Sequence, residues 1–114
     1  SYMRVMNRAD LLVYVGLELE VGWLPLLIQG ARNPQIMPGA VGHLDASVGV
    51  RRLDVPTGGV DRSMGDVHPE GNPHYWLDPR NGLVIAKAVA EKLSIIAPGK
   101  SDMFQKNRVV FEYL

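Results

Sequence analysis

Apolar and polar positions change rhythm several times along the chain. Residues 1–8 carry Tyr2, Val5 and Met6 at helical spacing, and residues 7–10 break the pattern, so the chain opens on the tail of a helix. Leu11 through Val15 form a continuous apolar run ended by Gly16, the pattern of a strand buried on both faces of a parallel sheet. An apolar helix is predicted next, over residues 21–29, with Pro25 placing its regular part from near Trp23 and Gly30 placed to end it. Residues 33–39 read as a short second strand between breakers, followed by a polar turn through residues 42–45. A third short strand is expected within residues 48–55, with Val50, Leu53 and Val55 as its apolar positions. Residues 56–73 are loop, dense in Gly, Pro and Asp. Within it Thr57-Gly58-Gly59 lacks the Lys and Ser/Thr that would follow in a phosphate loop, and reads as a turn.

The clearest periodicity lies at the end. Over residues 79–96, Gly82, Ile85, Ala86, Val89, Leu93 and Ile96 fall on one helical face, with Arg80, Lys87 and Glu91 opposite. Ala97-Pro98-Gly99 stops that helix. Ser101 then reads as the cap of a last helix reaching Leu114, with Met103, Phe104, Val110, Phe111 and Leu114 at four- and seven-residue intervals. Strands alternating with helices predict an α/β domain with a mostly parallel sheet flanked by helices. In such sheets ligands gather at the carboxyl ends of the strands.

Composition narrows the functions open to this chain. Its 114 residues allow one small domain. Lys+Arg and Asp+Glu are equal at 12 each and the only basic cluster is Arg51-Arg52, so nothing marks a nucleic-acid partner. No apolar window is long enough to span a bilayer. Cysteine is absent, which excludes disulfides and thiolate sites and restricts any metal to His, Asp or Glu ligands.

Those ligand types concentrate between residues 65 and 79, which hold two of the three histidines. Pro73 biases Asn72 toward extended backbone and removes an amide donor, so the chain enters His74 as a stiff arm. Asp78-Pro79 reads as a helix start, the Asp accepting a first-turn amide and Pro79 sitting where its missing N–H costs nothing. A His pre-oriented in this way is suited to metal coordination, although a lone His after Pro more often serves as a loop hydrogen-bonding group, since one His does not make a site. His68 lies six residues earlier, within reach of the same ion if the loop folds back. Glu18 and Glu20 stand at a strand-to-helix turn, where acidic residues cap or compensate the helix N-terminus more often than they bind metal. His43 has only Asp45 as a neighbouring ligand type and reads as a surface or loop hydrogen-bonding residue.

The run Asn72-Pro73-His74-Tyr75-Trp76-Leu77-Asp78-Pro79 resembles the P-H-x-W-L-D-P segment of the cluster A-I solute-binding proteins, which capture zinc or manganese for ABC importers. A second passage, from Ala9-Asp10-Leu11 through Gly16, Leu19-Glu20 and Trp23-Leu24, is similar to that family's A-D-L strand-to-helix passage, and the two occur in the family's order. The resemblance implies a Rossmann-like lobe, with residues 1–99 as part of the N-terminal metal-binding lobe and residues 100–114 as the start of the interlobe linker helix. It carries His74 over as the primary metal ligand, with Trp76 packing behind it, and His68 as a weaker one. The transported ion would be zinc or, next, manganese, and the remaining ligands would lie outside this chain, which is then either a fragment or a shortened relative.

The resemblance further implies a binding protein rather than an enzyme, in the periplasm or anchored outside the membrane as a lipoprotein, with an ABC permease as partner. If the second lobe is missing, the apolar stripe of the last helix is left bare and the chain is expected to self-associate. Two other readings stand beside it. One is a metal-dependent hydrolase using Asp66, His68, His74 and Asp78, with a bound water as nucleophile. The other is a metal-free, oligomerising half-lobe.

Overall fold

Two short strands form the centre of the fold, and the computed structural model describes residues 2–65 and 67–114 around them. Strands β1 (Leu12–Tyr14) and β2 (His43–Asp45) pair in parallel, with Leu12 opposite His43, Val13 opposite Leu44 and Tyr14 opposite Asp45. Parallel strands need a crossover, and the chain provides one through helix α2 (Leu24–Ala31) and a single helical turn at Pro34–Ile36. Helix α1 (Tyr2–Asn7) precedes β1 and packs against α2. After β2 a long loop, with single turns at Arg62–Met64 and Tyr75–Leu77, leads to α3 (Pro79–Ile96), and α4 (Ser101–Glu112) folds back on α3. The architecture is therefore α/β, a small parallel sheet flanked by helices, as the alternation of elements predicts.

The second strand lies elsewhere than the pattern predicts. Residues 33–39 begin with a helical turn because Pro34 has no amide to offer a sheet and the Asn33 side chain accepts from the Gln35 N–H at 3.0 Å. Asn33 is buried, and its own amide donates to the carbonyls of Met6 at 2.9 Å and Ala9 at 2.8 Å, tying the end of α1 to the crossover. The strand is instead the segment expected to be a polar turn. Pairing with β1 and burial of Leu44 outweigh the poor strand propensity of its flanking His and Asp. No strand forms in residues 48–55 either, because Val50 turns inward and residues 52–54 bond to residues 70–72 rather than to the sheet. β1 is shorter than its apolar run, and Val13 is 42% exposed rather than buried on both faces, since a two-stranded sheet covers it on one side only.

Helix α2 starts at Leu24 with Pro25 in its first turn, and passes through Gly30 to a left-handed Arg32 at φ 51, which makes the terminating turn expected of the glycine. Gly30 serves a different purpose: a Cβ there would lie 2.8 Å from the Met3 sulfur, so its absence lets α1 approach. Helix α3 has the predicted bounds. Ser101 is the first residue of α4 rather than its cap, because the turn at Pro98–Lys100 runs straight into the helix and the Ser101 N–H already donates to the Pro98 carbonyl. Phe104, half-buried, and Phe111, about half exposed, line an open groove with Ile85, Val89 and Leu93 of α3, while Val110 stays exposed and α4 ends at Glu112, short of the predicted Leu114, which is exposed beyond it. Leu17, Val50 and Tyr75 form a buried cluster beneath Val15, Val84 and Ile85, between the end of β1 and α3.

Candidate metal site

Tyr75 anchors the segment that carries the histidines. Its ring is buried beside Leu17 and Val50, and its hydroxyl donates to the Val15 carbonyl at 2.6 Å, which fixes residues 72–78 against the carboxyl end of β1. Burial, then the nearby carboxylates of Asp45 and Glu20, push this hydroxyl up to about 12, so it stays a donor. Asn81 of α3 donates to the Tyr75 carbonyl at 2.8 Å and closes the turn from the other side. In the sequence Tyr75 is only the variable position of the P-H-x-W pattern, and the apolar residues it packs against, Leu17 and Val50, lie too far away along the chain to signal its role.

His74 stands exposed one position earlier, on a fully buried Pro73. Its N–H donates to Asn72 Oδ1 at 3.0 Å and its Nδ1 lies 2.9 Å from the same oxygen. The Trp76 ring packs against the imidazole, with centroids 5.1 Å apart and planes tilted by 52°. His68 and His74 line one open cavity of about 290 Å³ together with Asp54, Asn72 and Pro73, so the fold brings both histidines to the same hollow.

Asp78 is engaged elsewhere. It caps α3 by accepting from the Arg80 N–H at 2.9 Å and pairs with the Arg80 guanidinium at 2.7 Å, and these hydrogen bonds hold its carboxyl below the usual range. Asp66, the fourth member of the hydrolase set, lies outside the described residues. Among the described residues, no group of three or more His, Asp or Glu side chains stands close enough together to hold a metal ion.

The two glutamates at the first strand-to-helix turn differ in role. Glu20 is buried, and its carboxylate accepts from the Val15 N–H at 2.8 Å and the Gly16 N–H at 3.1 Å. It thus satisfies the backbone at the end of β1, not the N-terminus of α2 as expected; that helix begins at Leu24, and Trp23 before it supplies no side-chain cap. Glu18 is exposed at φ 64. His43 belongs to β2 yet keeps the expected hydrogen-bonding role. Its Nδ1 donates to the Ile36 carbonyl at 2.8 Å, and its Nε2 accepts from the Tyr14 hydroxyl at 3.1 Å.

A family model described as the periplasmic component A of the zinc-uptake complex matches residues 1–112. The chain belongs to that family. A manganese ABC transporter substrate-binding lipoprotein of Streptococcus mitis is 29% identical over 104 residues, covering 89% of this chain and 30% of the relative. A metal ABC transporter substrate-binding lipoprotein of Lactococcus lactis subsp. lactis is 27% identical over 104 residues, with the same 89% and 30% coverage. The lipoprotein FimA of Streptococcus parasanguinis is 28% identical over 108 residues, covering 92% of this chain and 31% of its own length. The chain therefore spans under a third of the length of these curated relatives. Comparison with solved structures gives no match. The membership implied by the two motifs is met, and the zinc-uptake family is one of substrate-binding proteins, not enzymes.

Proposed function

We propose that this chain forms part of the metal-capturing component of an ABC importer, with His74 as one ligand of the transported ion and His68 as a weaker one. Residues 1–99 are read as part of the N-terminal lobe and residues 100–114 as the start of the helix leading to the second lobe. The observation that carries the reading is the stiff presentation of His74, on buried Pro73 and against Asn72, in a cavity it shares with His68. Zinc is the first cargo assigned, since neutral imidazoles suit it, and manganese the second, because the streptococcal relative is named for manganese. The remaining ligands come from outside this chain. An ABC permease is the partner, and the location is periplasmic or on an extracellular lipoprotein anchor, as the relatives' names suggest. No helix among the described residues is long and apolar enough to cross a membrane. Hydrolysis finds no support in the geometry, because Asp78 is already bonded to Arg80. Bare apolar side chains on α4 favour self-association of the isolated chain.

Calorimetric titration of zinc and of manganese into the metal-stripped chain, beside His74→Ala and His68→Ala, tests this reading. Micromolar or weaker binding is expected, lost in His74→Ala and reduced in His68→Ala, because one or two imidazoles lack the affinity of a full ligand set. Tight binding that survives His74→Ala would move the site elsewhere and end the proposal.

A further inference from the structure

Three contacts clamp residues 52–54 against residues 70–72. The Arg52 guanidinium pairs with the Glu70 carboxylate, the Asn72 N–H donates to the Leu53 carbonyl at 2.8 Å, and Asn72 Nδ2 donates to Asp54 Oδ2 at 3.1 Å. Gly71 permits the close approach, since its φ is +108° and a Cβ would lie 2.8 Å from the Leu53 carbonyl oxygen. Asp54 sits at φ 55, a left-handed conformation that Asp and Asn adopt more readily than most residues.

A carboxylate only accepts hydrogen bonds and a backbone N–H only donates, so Asp54 and the His74 N–H together set which way round the Asn72 amide stands, with Nδ2 toward Asp54 and Oδ1 toward His74. That Oδ1 also only accepts. It takes the His74 N–H at 3.0 Å and faces Nδ1 at 2.9 Å, so Nδ1 carries the ring proton and the lone pair is on Nε2. A histidine side chain in water prefers the opposite arrangement, with its proton on Nε2. The contacts around Asn72 therefore reverse the intrinsic preference of the ring.

We propose that Asp54 and Asn72 are positioning residues for His74, a relay that fixes the Nδ1–H tautomer and presents Nε2 to a divalent cation. The proposal rests on the reading of His74 as a ligand. Neither relay residue touches the ion: Asn72 acts through the imidazole, and Asp54 acts through Asn72. Metal-binding histidines usually donate their second ring N–H to such an acceptor, and loss of the acceptor lowers metal affinity by about 10- to 100-fold.

Two measurements on the full chain separate the relay from the metal reading. A long-range proton–nitrogen NMR spectrum of the metal-free protein, above the imidazole titration, reports the tautomer, and zinc calorimetry reports affinity. The relay predicts a pyrrole-type Nδ1 and a pyridine-type Nε2 at His74. Asn72→Ala should return the ring toward the Nε2–H form and weaken zinc by about 10- to 100-fold. The double exchange Asp54→Asn with Asn72→Asp keeps an acceptor against Nδ1 and a donor opposite it, so it should restore both readings, a rescue that a merely structural role does not produce. A proton found on Nε2 in the unaltered chain overturns the relay without any variant. A tautomer unchanged in Asn72→Ala overturns it as well. If the Nδ1–H form is present and answers to Asn72 while the unaltered chain binds no zinc, the ligand reading fails and the relay does not.

Discussion

The Tyr75 hydroxyl bonds to a carbonyl 60 positions earlier in the chain, and in doing so it decides where His74 stands. Tyr75→Phe keeps the ring but leaves the Val15 carbonyl without its donor, so unfolding in urea should show a loss of about 1–3 kcal/mol. Its titration carries a second expectation. The folded-state value is about 12 against an ordinary 10.0, so below pH 10 both states hold the proton and stability is level. Between about pH 10 and 12 the unfolded chain loses its proton first, and stability falls as pH rises, by roughly 2–3 kcal/mol in all. Urea midpoints across that range should flatten in Tyr75→Phe, apart from the share of Tyr14, whose hydroxyl is raised by burial too. None of this is visible in the local sequence, whereas the stiffness given by Pro73 and the capping by Asp78 are, because both act on immediate neighbours.

Elements with near-neighbour signals formed where the pattern put them. Helix α3 has Asp78, Pro79 and an unbroken apolar face within one stretch, and its bounds match. The sheet obeyed a different rule. Asn33 and Pro34 turned the expected second strand into a helical corner, and β2 formed in a polar segment because β1 was there to pair with it. The clamp between residues 52–54 and 70–72 belongs to this scale as well, and Gly71 is its most exposed weakness. Gly71→Ala puts a Cβ 2.8 Å from the Leu53 carbonyl oxygen on a backbone at φ +108°. Strain of this kind should lower stability by about 1–3 kcal/mol and increase proteolytic nicking between residues 54 and 70. Gly58→Ala, with nothing within 4 Å of its Cβ, should stay within about 0.5 kcal/mol in the same assay. Equal losses in the two variants would mean that the close approach at Gly71 carries no weight.

At the scale of the molecule, charge and apolar surface act together. Acidic and basic residues balance at 12 each, so no net repulsion keeps copies apart, and α4 with the two residues that follow it exposes Val110, about half of Phe111 and nearly all of Leu114. Sedimentation velocity should show mass rising with concentration, and Val110→Lys combined with Leu114→Lys should return the chain to a monomer. A single monomeric species at every concentration would dispose of this expectation. The sequence by itself determined the α/β class, helix α3 with its cap, the family through two motifs, and His74 as the residue to watch. All of these depend on side chains within a turn or two of one another, whose energies barely change with the rest of the chain. Only the tertiary structure decided that β2 lies at His43–Asp45, that Glu20 satisfies the end of β1, that His68 shares a cavity with His74, and that Asp54 orients Asn72. Most of these depend on partners brought together from distant parts of the chain, and even the short-range bonds of Glu20 exist only in the turn that the packed fold imposes.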